Sequence, residues 1–263
     1  MGMNKSYKDF AIDISKKAGK IIKDNLRTDH FKDYKEDGSP VTKVDLAINQ
    51  LIVSSVNKYF PEHDVLAEEG NSLHNKSDYI WLCDPIDGTI PFSHGIPLCT
   101  FSLALVYKGQ PILGAVYEPF TDKLFFAEKG QGAYLNGKKI KVSGANIPEH
   151  SLVALEYFYY SIFDLSDLLG ILEKQNIHVN KYCSFIYEAT LVANGVYLAA
   201  IFAGKTAHDA AAIKIIVEEA GGKVTDIFGN EQFYNQDIKG VLVSNALTHN
   251  FFLEQIKKSL VKK

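Results

Sequence analysis

The chain has 263 residues, 46% hydrophobic and 22% charged, with a net charge of -3 at pH 7. That length carries one large α/β domain or two small ones around a sizeable core. The weakly acidic balance, with no basic block, argues against a nucleic-acid partner, and no apolar run approaches the roughly 18 residues that span a membrane.

The first residues, Met1-Gly2-Met3-Asn4-Lys5-Ser6, formally fit the myristoylation pattern, which chance or a cloning remnant also supplies. With no secretory signal read, a cytoplasmic location is expected. From Ser6 to Leu26, Tyr7, Phe10, Ala11, Ile14, Ala18, Ile21 and Ile22 recur at helical spacing, with lysines on the opposite face. Asp37-Gly38 and Ser39-Pro40 then signal a turn. Thr42 opens a second amphipathic helix through Val44, Ile48, Leu51, Ile52 and Val56. Thr42 with Asp45 three residues on matches a capping box; the alternative is that Asp45 faces a carboxylate site, with Lys35 a mobile charge on a loop above it. Phe60-Pro61 ends that helix. Val65-Leu66-Ala67 reads as a short strand running into Glu68-Glu69-Gly70, which is either an acidic surface turn or part of a site. Residues 71–78 read as loop.

Tyr79-Ile80-Trp81-Leu82-Cys83 is a buried strand by length and composition. Asp84 and Asp87 follow, and Pro85, which cannot donate to a ladder, is expected to end the strand. Gly88 lets the backbone approach a ligand, and Thr89-Ile90-Pro91-Phe92 reads as a short helix whose free N–H groups suit an anion. Asp-Pro and Asp-Gly pairs are also ordinary turn formers. Against that, two carboxylates about 4 Å apart repel by roughly 4 kcal/mol at an effective dielectric of about 20. A cation between them, with a phosphate beside it, makes chemical sense of the cluster, and oxygen ligands suit Mg²⁺.

Strands at 100–107, 111–117 and 123–127 and a hairpin closed by Asn136-Gly137 form an antiparallel meander. A polar stretch from Ala145 to His150 separates two halves, 1–145 and 146–263. The second alternates: strand 152–155, helix 165–172, helix 184–194 stopped by Gly195, strand 197–202, helix 210–220 stopped by Gly221-Gly222, strand 241–244 and helix 252–260. Asp209 stands at the start of the 210–220 helix, where a capping role is ordinary. Cys83, Cys99 and Cys183 fit no disulfide framework or zinc spacing and read as buried free thiols.

Four pieces, in this order and at these spacings, together resemble the inositol monophosphatase family of Mg²⁺-dependent phosphatases. They are Ser39-Pro40-Val41-Thr42-Lys43-Val44-Asp45, Glu68-Glu69, Trp81-Leu82-Cys83-Asp84-Pro85-Ile86-Asp87-Gly88-Thr89, and Asp209-Ala210-Ala211-Ala212 with Glu219-Ala220-Gly221-Gly222. The resemblance implies a layered αβαβα fold of the inositol monophosphatase and fructose-1,6-bisphosphatase type, in the α/β (α+β) class, forming one compact catalytic unit and a homodimer. It implies metal ligands Glu68, Asp84, Asp87, Asp209 and the carbonyl of Ile86, with Asp45 at a weaker third site. Glu68 and Thr89 would orient the attacking water, with Asp45 and Thr42 beside them in the catalytic set. Asp87, Gly88 and Thr89 would meet the phosphate; Ser184 and Lys205 lie where they would touch the other end of the substrate, and either fits a surface contact or a helix cap equally well. Two or three Mg²⁺ ions are implied, with Mn²⁺ as a substitute and Ca²⁺ or Li⁺ as inhibitors.

The implied substrate is a small phosphate ester, by default inositol 1-phosphate. Histidinol phosphate, a 3′(2′),5′-bisphosphate nucleotide or a sugar bisphosphate are the alternatives, and a catalytically silent metal- and phosphate-binding relative is the non-enzyme one. Two departures bear on the substrate. His208 stands where family members carry tryptophan, and Phe202 stands where inositol-specific members carry a glutamate that accepts from sugar hydroxyls.

Overall fold

The computed structural model describes residues 5–26, 32–35, 38, 40–70, 77–159 and 161–260. The myristoylation pattern at Met1–Asn4, the turn residues Asp37 and Ser39, and most of the 71–78 loop lie outside them.

Helix α1 (Tyr7–Asn25) starts where the Ser6 side chain accepts from the Asp9 amide, and it buries Phe10, Ala11, Ile14, Ala18 and Ile22. A hairpin of β1 (Lys32–Tyr34) and β2 (Pro40–Thr42) follows, which the turn signals alone did not announce as strands. Helix α2 (Lys43–Tyr59) carries the full capping box at Thr42 and Asp45. Then come β3 (Asp64–Ala67), β4 (Tyr79–Asp87), the five-residue helix α3 (Thr89–Ser93), β5 (Thr100–Tyr107), β6 (Gln110–Glu118), β7 (Lys123–Glu128), β8 (Gly132–Leu135) and β9 (Lys138–Lys139). These last seven strands form one sheet in chain order, parallel between β3 and β4 and antiparallel elsewhere.

The second sheet has the order β11-β10-β12-β14-β13. Its elements are β10 (Leu152–Glu156), α4 (Ser166–Glu173), β11 (His178–Asn180), α5 (Phe185–Ala193), β12 (Ala199–Phe202), a 3₁₀ turn (Ala207–Asp209), α6 (Ala211–Glu219), β13 (Lys223–Thr225), β14 (Val241–Ser244) and α7 (His249–Ser259). The three-residue strands β11 and β13 were too short to read from pattern.

The layers are α1 and α2, the first sheet, α5 and α6, the second sheet, then α4 and α7. Strand alternation feeds these layers. In β4 and β5, Trp81, Cys83, Leu103 and Leu105 enter the core under α1 and α2, while Leu82, Ala104 and Val106 enter the central one with α5 and α6. The third core, with Leu155, Leu168, Leu172, Leu242 and Phe252, lies under α4 and α7.

The sequence expectation that Pro85 ends its strand is overturned. Asp84 lies opposite Ser102 and Asp87 opposite Thr100, so three steps along β4 face two along β5. Pro85 sits within this bulge, where a missing donor costs no ladder bond. A second correction concerns Cys183. Cys83 and Cys99 are buried, but Cys183 is only half-buried and holds a φ of +58°.

Helix α6 lies close on β6 because Gly114 has no side chain there. A Cβ on Gly114 would come to 2.7 Å from the Ala212 carbonyl oxygen and 2.7 Å from the Ile215 Cγ2. Gly114→Val is therefore expected to destabilise the chain by about 1–3 kcal/mol through overpacking, read as a lowered midpoint in urea denaturation. An unchanged midpoint would contradict this packing.

Candidate active site

The bulge at the end of β4 aims its two aspartates differently. Asp84 is buried, and its Oδ1 accepts from the Ile86 amide at 3.0 Å. The Asp87 Oδ2 accepts from the Thr100 hydroxyl at 3.2 Å, the Ser184 hydroxyl at 2.5 Å and the Tyr187 amide at 3.2 Å. Gly88 follows with φ +92° and ψ +36°, a left-handed conformation that favours glycine. It also lies close under Ser184, whose Oγ is 3.1 Å from where a Cβ would stand. The Thr89 hydroxyl donates back to the Ile86 carbonyl at 2.9 Å.

Glu68, Asp84, Asp87 and Asp209 line one cavity of about 290 Å³, together with Ile86, Gly88, Thr89 and Lys205. Glu68 directly follows β3, which runs parallel to β4. Asp209 comes from the 3₁₀ turn ahead of α6. It does not cap that helix: Ala210 holds the cap position without a side-chain bond, and the Asp209 Oδ2 accepts from the Thr206 hydroxyl. The His208 Nε2 stands 3.5 Å from the Asp209 Oδ1.

Burial, and then the charges of Glu68, Asp87 and Asp209, push the Asp84 carboxyl well above its usual range. Burial pushes Asp87 up to about 7 against the hydrogen bond from Ser184. Burial also raises Asp209. The cation Lys35 answers part of this charge. Its Nζ lies 2.5 Å from the Glu68 Oε1 and 2.6 Å from the Glu69 Oε1. Burial opposes its charge, yet the two glutamates outweigh burial and raise the ammonium pKa.

The donor set is wholly oxygen and its members repel one another, which fits a hard divalent cation. Among the described residues no three carboxylate, imidazole or thiol groups yet converge on one point. Each carboxylate instead spends an oxygen on a protein donor: Lys35, the Ile86 amide, Ser184 or Thr206. Recruiting them to an ion entails giving up some of these bonds, the Lys35 pair with Glu68 among them.

The sequence profile of the inositol monophosphatase family matches residues 3–261. The chain belongs to the inositol monophosphatase family. It is 34% identical over 250 residues to the fructose-1,6-bisphosphatase/inositol-1-monophosphatase of Thermotoga maritima, covering 92% of both chains. It is 32% identical over 235 residues to the Nus factor SuhB of Pseudomonas aeruginosa, covering 86% of this chain and 87% of that one. Among solved structures, a Thermotoga maritima IMPase superposes with a TM-score of 0.87 at 31% identity, covering 96% of this chain and 97% of the other. The layered fold is thus that of inositol monophosphatases and fructose-1,6-bisphosphatases. As a member of this metal-dependent family the chain is a phosphoric monoester hydrolase.

Of the residues that the inositol monophosphatase resemblance pointed to, three do not line the cavity. Thr42 is occupied as a cap: its hydroxyl donates to the Asp45 Oδ2 at 2.5 Å and its amide donates to the same oxygen at 2.8 Å. Asp45 is fully buried, its other oxygen has no hydrogen-bond partner, and burial pushes it up to about 7. Ser184 is buried with its hydroxyl on Asp87, so it steadies a carboxylate and does not line the cavity. Lys205, His208 and Phe202 do line the cavity.

Sequence reading missed two buried glutamates behind the site. The Glu156 Oε1 accepts from the Cys183 amide at 2.6 Å, and the Glu188 Oε1 accepts from the Tyr182 amide at 2.9 Å. Together they hold the turn that delivers the Ser184 hydroxyl and the Tyr187 amide to Asp87. Burial raises both carboxyls, Glu188 to about 10 with the charge of Glu156 adding to it. A glutamate closing the apolar run Leu152–Leu155 was the available signal for Glu156.

Asp45 and Asp87, near 7 in the folded chain, keep protons that the unfolded chain releases at an ordinary aspartate pKa. The folded chain then binds more protons between about pH 4 and about pH 7, so without a divalent cation its stability falls as pH rises through that window. An ion binding the ionised carboxylates offsets the loss. Thermal melts in a chelator should show a lower Tm at about pH 8 than at about pH 5, and Mg²⁺ should raise Tm more at the higher pH. Equal Mg²⁺ effects at the two pH values would contradict the carboxylate cluster.

Proposed function

We propose that the chain is a Mg²⁺-dependent phosphomonoesterase that hydrolyses a small phosphorylated alcohol by attack of water at phosphorus. The observation that carries this reading is the meeting of Glu68, Asp84, Asp87 and Asp209 around one cavity beside Gly88 and Thr89. Glu68, Asp84 and the Ile86 carbonyl would hold one cation, and Asp84, Asp87 and Asp209 a second; Asp45, buried with one unpartnered oxygen, suits a weaker third. Bound there, such ions lower the pKa of an attacking water and neutralise charge on the phosphate. Mn²⁺ would substitute by the same oxygen chemistry, and Ca²⁺ and Li⁺ are proposed inhibitors.

The chain's own groups orient the reactants. The Gly88 and Thr89 amides would donate to the phosphate, and Glu68 with the Thr89 hydroxyl would align the water. Thr100, Ser184 and the Tyr187 amide hold Asp87 in a single orientation. Positioning and electrostatics carry most of a phosphoryl transfer, so no protein nucleophile is required. Attack breaks the ester P–O bond and releases the alcohol and inorganic phosphate.

Residues 1–145 and 146–263 act in this reading as two halves of one catalytic unit, the first supplying Glu68, Asp84 and Asp87 and the second Asp209. Inositol 1-phosphate is the reference ester. A cytoplasmic homodimer completes the reading: the three free thiols Cys83, Cys99 and Cys183 suit a reducing compartment, and among the described residues no helix is long and apolar enough to cross a membrane.

Asp87→Asn is expected to cut Mg²⁺-dependent phosphate release by roughly a hundred- to a thousandfold while circular dichroism stays that of the folded chain. Retained turnover in a folded Asp87→Asn protein would refute the ligand assignment.

A further inference from the structure

The cavity has two chemically unlike parts. One is the carboxylate set. The other is apolar, with Phe158, Ile162, Phe185 and Phe202 among its lining. Phe185 and Phe202 stack, their ring centroids 4.9 Å apart and their planes 17° from parallel. Both are largely buried, so the wall is fixed before any ligand arrives. Gly204 completes it, since a Cβ there would collide with the tip of the Phe202 ring.

A hydroxyl entering this part of the cavity finds few acceptors. Outside the carboxylate set, no lining side chain among the described residues is a carboxylate or an amide. The acceptors left are the Thr206 hydroxyl oxygen, which donates to Asp209, the Ser161 Oγ, which already accepts from the Phe158 amide, and the His208 ring. Lys205 only donates. A ring bearing several hydroxyls would leave donors unpaired against apolar groups, at the desolvation cost that unmade hydrogen bonds carry. A flat ring with few hydroxyls stacks on phenyl faces or packs on their edges without that cost.

We infer that the alcohol this phosphatase prefers carries a flat, hydroxyl-poor ring that rests against the Phe185–Phe202 stack, in place of a polyol. The inference rests on the phosphomonoesterase reading above and narrows its substrate class. Phe202 is its specificity-determining residue: it closes β12 on the cavity wall and offers a ring face or edge where a polyol needs an acceptor. The phosphate keeps the same seat in either case, so the discrimination falls on the alcohol alone.

The test is a comparison of kcat/KM, with Mg²⁺, for benzyl phosphate and histidinol phosphate against inositol 1-phosphate and glycerol 2-phosphate. All four are esters of aliphatic alcohols, so a reactive leaving group does not bias the ranking. The ring esters are expected to lead by about tenfold or more. Phe202→Glu should move the ratio toward inositol 1-phosphate by about tenfold, and Phe202→Leu should raise KM for the ring esters without improving the polyols. A wild-type preference for the polyols would overturn the inference and leave the phosphatase reading intact, as would a folded Phe202→Glu protein with an unchanged ratio. Should Phe202→Glu fail to fold, the wild-type ranking and the Phe202→Leu KM values decide. Hydrolysis of none of the four would overturn the phosphatase reading and this inference with it.

Discussion

Burying Asp84 beside Glu68, Asp87 and Asp209 raises its carboxyl far above the ordinary range, and most of what surrounds the cavity answers that repulsion. Unpaired buried charge is among the most costly arrangements a fold can hold. Each carboxylate here is met by a specific donor: Lys35 for Glu68, the Ile86 amide for Asp84, Ser184 for Asp87 and Thr206 for Asp209. The donors come from segments far apart in the chain. The site is therefore a junction of the whole fold and not a property of one loop.

The bulge in β4 is the local device that makes the junction. An unbroken strand alternates its side chains between the two faces of the sheet. The extra residue between Asp84 and Asp87 breaks that alternation next to Pro85, and Gly88 then turns the chain into α3. From the other side, the turn before α5 approaches Gly88 closely enough that a side chain there would meet Ser184. Glu156 and Glu188 hold that turn from behind. Support of this kind, residue on residue, keeps a polar site oriented inside an apolar body.

The apolar part of the cavity follows from the same layering. Strand β12 lies between β10 and β14 in the second sheet and is buried along its length, so its last residue, Phe202, is packed before it is exposed. Its ring continues the central core out to the cavity through Phe185. Acid chemistry and an aromatic wall thus share one opening because two sheets end at the same place. Family relatives share the fold.

Much of this was legible in the sequence alone. Apolar periodicity gave α1, α2 and the meander because each element presents a whole face to a core, and Asp84-Pro85-Ile86-Asp87-Gly88-Thr89, itself compatible with an ordinary turn, marked the chemistry once Glu68 and Asp209 stood with it in order. Family and fold class followed from four such pieces in order. The short strands β1, β2, β11 and β13 were not legible, since three residues carry too little periodicity to register. The Thr42–Asp45 capping box was legible from its spacing, but the partners of other polar side chains were not. Only tertiary packing decided that Asp209 leaves its helix end uncapped and that Ser184 turns to Asp87. A sequence fixes which groups are available at each position, but the partner a hydroxyl or carboxylate takes depends on what distant strands and helices bring within about 3 Å of it.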